Sequence, residues 1–134
     1  MESNDSTETS VTRATLNILV VDDEDTLREL ISNLFTQGGH KVITAANGRE
    51  GLDKFFTEKI DIVFSDRAMP IMNGDELASH IEIISPNTPF IMVTAYGNLM
   101  NGKTIKPEGV DRVVHKPFKT EELLEALNIT PVEG

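Results

Sequence analysis

Five short apolar runs, spaced about 20 residues apart, constrain this chain more than any other feature of its sequence. Ile18 to Val21, Val42 to Ala45, Ile60 to Phe64, Phe90 to Val93 and Val110 to Val114 are mostly unbroken by charge. Runs of that length are the pattern of strands buried on both faces of a parallel sheet. Between them the apolar spacing changes to that of helices. Leu27, Leu30, Ile31, Leu34 and Phe35 form one stripe, stopped by Gly38 and Gly39. Asn47, with Glu50 three residues on, predicts a helix start followed by Leu52, Phe55 and Phe56 on one face. Leu77, Ile81 and Ile84 form a third stripe that ends at Ser85 and Pro86, and Thr120 is the expected cap of a last one carrying Leu123, Leu124 and Leu127. Strand and helix alternate, so the expected class is α/β, a doubly wound parallel sheet with right-handed crossovers. One stretch resists. Gly97 to Gly109 holds three glycines, two asparagines and Pro107, and predicts only a short or irregular fourth helix.

Length and charge bound the rest. With 134 residues there is room for one domain, large enough to bury a core without staples. The expected divisions are a disordered lead-in over 1–15, where the sequence is polar and aperiodic, a folded domain over 16–128 and a tail over 129–134. Twelve Lys and Arg against 22 Asp and Glu give a formal charge of −10, which repels nucleic acid and anionic membranes. No cysteine is present, which excludes disulfides, thiolate metal sites and a Cys nucleophile. No apolar run approaches the roughly 20 residues of a membrane span, and the N-terminus lacks the order of a signal peptide. The expected location is cytoplasmic. After Leu127 too little sequence remains for an output domain, so the chain reads either as a stand-alone unit or as a piece of a larger protein.

In open parallel sheets ligands bind outside the carboxyl ends of the strands. The first run is followed by Asp22-Asp23-Glu24-Asp25, the third by Asp66, the fourth by Thr94-Ala95 and the fifth by Lys116-Pro117. That edge therefore gathers carboxylates, a hydroxyl and one ammonium. Two carboxylates 4 Å apart repel by about 4 kcal/mol at an effective dielectric near 20, and one lysine does not offset three of them. Either a proton is taken up or a cation is bound, and Mg²⁺ suits a site with few carboxylates completed by water. A phosphoryl group beside the cation fits the same donors. Taken singly, each residue has an ordinary explanation: a helix cap for Asp22 or Asp25, a surface side chain for Lys116, a strand-end residue for Thr94. Their joint occurrence after four different strands favours a functional site.

These residues also resemble a known family. Val20-Val-Asp-Asp-Glu24, Ser65-Asp66 with Met69-Pro70 and Asn73-Gly74, Val93-Thr-Ala95 and Lys116-Pro-Phe118 are similar, in the same order, to the receiver domain of two-component response regulators. The resemblance runs from about Leu16 to Leu127. It implies a flavodoxin-like sheet of five parallel strands in the order 2-1-3-4-5, flanked by helices. It further implies that Asp66 accepts a phosphoryl group from a phosphohistidine on a sensor histidine kinase or histidine phosphotransfer protein, switching a surface read by a downstream protein target. Asp23 and Asp66, with the backbone carbonyl of Ala68, would hold Mg²⁺ (Mn²⁺ being an acceptable substitute), and Asp22 would act mainly through water. Lys116 would pair with a phosphoryl oxygen, Thr94 would turn its hydroxyl to another, and Ala95 would leave room for the group. The Lys116-Pro117 bond is expected to be cis. Such a protein is a signalling switch that catalyses its own phosphorylation, and it is not an enzyme acting on a separate substrate.

Three features depart from the family pattern. Val113 replaces the aromatic often found three residues before the lysine. Ala68 and Tyr96, two residues beyond Asp66 and Thr94, predict slow self-dephosphorylation: Ala68 cannot orient water with its side chain, and Tyr96 can shield the phosphoryl group. The Gly-rich fourth-helix segment predicts a mobile or unusual output surface.

Among the rivals, a haloacid-dehalogenase-like phosphatase shares the aspartyl nucleophile, Thr, Lys and Mg²⁺, and Asp23-Glu24-Asp25-Thr26 is similar to its opening motif. Its nucleophile lies on the first strand, however, which leaves Asp66 unexplained. A flavin binder needs a phosphate-cradling first loop, and this one is acidic. An EF-hand lacks its Gly and closing Glu in register. A vestigial receiver acting only as a binding module is the remaining alternative.

Overall fold

A computed structural model describes residues 15–95, 98–100 and 103–128. The expected tail over 129–134, the lead-in apart from Thr15, and Tyr96 lie outside the described residues. The elements in chain order are β1 (Asn17–Val21), α1 (Asp25–Gln37), β2 (Lys41–Ala45), α2 (Gly48–Thr57), β3 (Ile62–Ser65), α3 (Gly74–Ile84), β4 (Phe90–Thr94), β5 (Asn98–Met100), β6 (Lys103–Ile105), β7 (Arg112–His115) and α4 (Thr120–Ala126). Five strands form one parallel sheet in the order β2-β1-β3-β4-β7, which is 2-1-3-4-5 once the separate β5–β6 pair is set aside.

In the three central strands β1, β3 and β4 the apolar runs are continuous because both faces of the sheet are covered, whereas the edge strands β2 and β7 are only partly buried, a departure from the expectation that all five are covered on both faces. Alternate side chains enter opposite cores. Ile18, Val20, Ile62, Phe64, Ile91 and Val93 pack with Ile31 and Phe35 of α1 and Leu123 and Ala126 of α4. Leu19, Val21, Val63, Phe90 and Met92 pack with Leu52 of α2 and Leu77, Ala78 and Ile81 of α3. The Phe35 and Phe64 rings lie 4.8 Å apart, tilted, at the heart of the first core. Val113 is half-buried against the second core.

Helix starts follow local chemistry. Asn47 accepts the Glu50 N–H at 2.8 Å, while Glu50 Oε1 accepts the Ala46 N–H at 2.8 Å. Asn73 and Glu76 make the reciprocal pair at the start of α3. Thr120 is the first residue of α4 instead of its cap. Lys119 takes that place, and its N–H is held by Glu122 Oε1 at 2.8 Å.

The stripes are narrower than the spacing predicted. Leu30, Phe56, Ile84 and Leu124 are exposed, because a helix lying on a sheet covers only the sector that faces it. The larger departure is at the expected fourth helix. Two short antiparallel strands, β5 and β6, occupy part of that stretch. Its glycines and Pro107 disfavour a helix.

Candidate functional site

The sheet register brings the acidic residues together. Val21 pairs with Ser65 across β1 and β3, so the next residues, Asp22 and Asp66, leave adjacent strands side by side. Both backbones continue the ladder: Asp22 donates its N–H to the Ala45 carbonyl at 3.1 Å, and Asp66 donates to the Val21 carbonyl at 2.9 Å. Connections leave β1 and β3 toward opposite edges of the sheet, and that divergence opens the crevice in which such folds bind ligands.

Carboxylate oxygens of Asp22, Asp23 and Asp66 lie within 4.8 Å of one another. Asp22 is buried, with 2% of its side chain exposed; the Asp66 side chain is 12% exposed, and Asp23 is open to solvent. Lys116 reaches in from the end of β7. Its Nζ stands 3.5 Å from Asp22 Oδ2 and 3.4 Å from Asp66 Oδ2. The Lys116-Pro117 bond is cis. Thr94, the last residue of β4, is buried, and its carbonyl accepts the Lys116 N–H at 3.0 Å. Ala95 follows it and is exposed, as is Ala68, two residues beyond Asp66.

Burial holds the Asp22 carboxyl above the usual carboxylate range. The Glu24 N–H, donating to Asp22 Oδ1 at 2.8 Å, and Lys116 oppose this, while Asp66 and Asp23 add to it. The cluster thus has an uncompensated negative charge and only oxygen donors, one of them solvent-facing. That donor set fits a small hard cation that keeps part of its water shell, as Mg²⁺ does.

Other residues shape the site without having stood out in the sequence. Arg28 donates Nη1 to the Asp22 carbonyl at 2.7 Å and Nη2 to Asp25 Oδ1 at 2.6 Å. Its spacing of three from Asp25 signalled the ion pair; the backbone contact had no sequence signal. Arg67 donates its own N–H to Asp66 Oδ1 at 2.7 Å, and its guanidinium pairs with Asp75 Oδ2 at 2.9 Å. The loop after Asp66 is tightly folded. Ile71 has a φ of 72°, and the Met72 N–H bonds the Pro70 carbonyl at 2.7 Å around it. Gly74 closes the loop by donating to the Arg67 carbonyl at 2.8 Å, and a β-carbon there would collide with the Asp66 carbonyl oxygen.

Comparison with known proteins agrees with this geometry. The family profile of the response regulator receiver domain matches residues 18–128. The chemotaxis protein CheY of Thermotoga maritima is 38% identical over 113 residues, which cover 83% of this chain and 93% of that protein. The transcriptional regulatory protein GlrR of Escherichia coli is 34% identical over 112 residues, covering 84% of this chain but only 25% of GlrR, so the chain matches about a quarter of that relative. Among solved structures, the response regulator TrrA of T. maritima in complex with Mg²⁺-BeF superposes with a TM-score of 0.76 at 35% identity, over 84% of this chain and 96% of that one.

Proposed function

The chain belongs to the response regulator receiver domain family of two-component systems, and on that premise we propose that Asp66 is its phosphoacceptor. Receiver domains are signalling switches, and the carboxylates at the sheet edge fit the role of a phosphorylation pocket. The observation that carries the reading is the convergence of Asp22, Asp23 and Asp66 with Lys116 at 3.4 Å from Asp66 Oδ2.

Asp66 Oδ1 is held by the Arg67 N–H, so Oδ2 is the oxygen that faces the pocket. In the proposed step Asp66 Oδ2 attacks the phosphorus of a phosphohistidine on a sensor histidine kinase or histidine phosphotransfer protein. The new O–P bond forms as the P–N bond breaks, and the imidazole leaves with a proton from solvent. Lys116 places its ammonium beside the charge that spreads over the phosphoryl oxygens. Thr94 and Ala95 border the space into which the group arrives, and the Thr94 hydroxyl turning toward it begins the switch. Asp22, Asp23 and Asp66, with the Ala68 carbonyl, would hold Mg²⁺ or Mn²⁺, which when bound neutralises transferring phosphoryl charge. The chain therefore catalyses its own phosphorylation, and with the apolar Ala68 beside Asp66 it loses the label slowly.

The receiver unit is 16–128, flanked by a lead-in and a tail. It works in the cytoplasm and signals to a downstream protein. Among the described residues no helix is long and apolar enough to cross a membrane. A haloacid-dehalogenase-like reading would place the nucleophile at the end of β1, and the family match does not favour it. Labelling with phosphoramidate and MgCl₂, read as the mass gain of one phosphoryl group, tests the reading. Wild-type protein should gain the label and Asp66→Asn should not. A label retained in Asp66→Asn but lost in Asp23→Asn would overturn it in favour of the phosphatase, and an unlabelled wild type would favour a vestigial module.

A further inference from the structure

Two of the three clustered carboxylates belong to the loop between β1 and α1, and the means by which that loop is held has a consequence for cation binding. Asp22 has a partner for each of its polar groups. Its N–H goes to the Ala45 carbonyl, its Oδ1 accepts from Glu24, its Oδ2 faces Lys116, and its carbonyl accepts from Arg28 Nη1 at 2.7 Å. The Arg28 side chain is 21% exposed and lies one turn into α1, so it ties the loop to a helix packed on the core through Ile31 and Phe35. Its other contact, to Asp25 Oδ1 at 2.6 Å, orients the guanidinium, but Asp25 is 88% exposed and such a pair is weak alone.

We propose that Arg28 is a positioning residue of the cation site, fixing the Asp22 main chain so that the Asp22 and Asp23 carboxylates converge on Asp66. The inference rests on the receiver reading of that site. Arg28 acts on cation affinity in two opposite senses. As a positive charge near the cluster it repels a divalent cation. As a clamp it preorganises the carboxylates, and loss of outer-shell support of this kind typically lowers metal affinity by roughly 10–100-fold. Planar geometry distinguishes the two, because a guanidinium bonds the Asp22 carbonyl and Asp25 at once while an ammonium on a lysine does not reproduce that fork.

Calorimetric titration of the full chain with MgCl₂ separates the effects. Arg28→Lys keeps the charge and should weaken binding about tenfold, while Arg28→Gln also removes the repulsion and should weaken it by less. Asp25→Asn, which leaves the carbonyl contact, should weaken it much less. In the metal-free protein, amide exchange at Glu24 should accelerate in both Arg28 variants while exchange at Val20 in β1 stays slow. That readout reports on the clamp without any cation. Unchanged binding in Arg28→Lys together with tighter binding in Arg28→Gln would reduce Arg28 to a charge and overturn the proposal. A wild-type protein that takes up no magnesium would overturn the receiver reading of the site as well, a result distinct from magnesium uptake that ignores Arg28.

Discussion

Asp22 is a buried carboxylate whose neighbours leave it short of compensation, so neutralising it should stabilise the metal-free protein. At an effective dielectric near 20, charges 4.8 Å apart repel by about 3.5 kcal/mol. Asp66 exerts repulsion of that order on Asp22, while Asp23, being exposed, is screened and contributes less. Lys116 at 3.5 Å returns about 4.7 kcal/mol of attraction. These terms nearly cancel, and the burial of the ionised group remains as a net cost. Asp22→Asn retains an oxygen for the Glu24 N–H and leaves Lys116 its contact with Asp66, so we expect a gain of about 1–2 kcal/mol, roughly 4–10 °C in Tm for a domain of this size. The pH dependence follows from the raised carboxyl. Ionised Asp22 costs stability at neutral pH, and the cost is lifted as pH falls from the raised folded value toward the ordinary 3.8 of the unfolded chain. The advantage of Asp22→Asn should therefore be greatest near pH 7.5 and shrink on acidification. Saturating MgCl₂ should narrow it too, because a cation at 100 times its Kd adds about 2.7 kcal/mol to a protein that binds it. Thermal melts of both proteins in EDTA and in MgCl₂, at several pH values, provide the test. A variant that melts below wild type in EDTA at pH 7.5, or whose advantage grows on acidification, would refute the electrostatic reasoning.

The parts of this protein that were legible in its sequence share one physical property: the chain states them locally. A strand buried on both faces must be apolar throughout, so the first polar residue after each run marks the sheet edge. Asp22 and Thr94 are those residues, Asp66 and Lys116 follow one position later, after Ser65 and His115, and the parallel register then sets Asp22 beside Asp66. Features that depend on paths through space were not legible. Periodicity gives the direction of a helix face but not its width, which is why Leu30 and Phe56 appeared to belong to the core yet are exposed. The contact of Arg28 with the Asp22 carbonyl joins a side chain to a backbone atom, and residue type does not encode that acceptor. Ile71 is a case of sequence pointing the wrong way. A β-branched residue is a poor occupant of positive φ, so nothing in its identity announced the tight turn. The β5–β6 ribbon differs again: the regular alternation of strand and helix predicts a helix there, although the glycines, asparagines and Pro107 of that stretch make it a poor one.

Two further perturbations test the loop that follows Asp66. Ile71 is 78% exposed, so Ile71→Gly gives up little burial and relieves the positive φ; a rise of about 1 kcal/mol in unfolding free energy by urea titration is expected, and a fall would refute the strain. Gly74→Ala should act in the opposite direction and on the site itself. A β-carbon at Gly74 would overlap the Asp66 carbonyl oxygen and stand 2.9 Å from Arg67 Cα, and both obstacles are backbone, so no side-chain rotation relieves them. The loop must then move away from the start of α3, stretching the bond from the Gly74 N–H to the Arg67 carbonyl and carrying with it the Arg67 N–H that holds Asp66 Oδ1. A loss of about 2–4 kcal/mol in stability should accompany slower labelling by phosphoramidate in the fraction that remains folded. Labelling at the wild-type rate in a destabilised Gly74→Ala protein would show that the position of Asp66 does not depend on this closure.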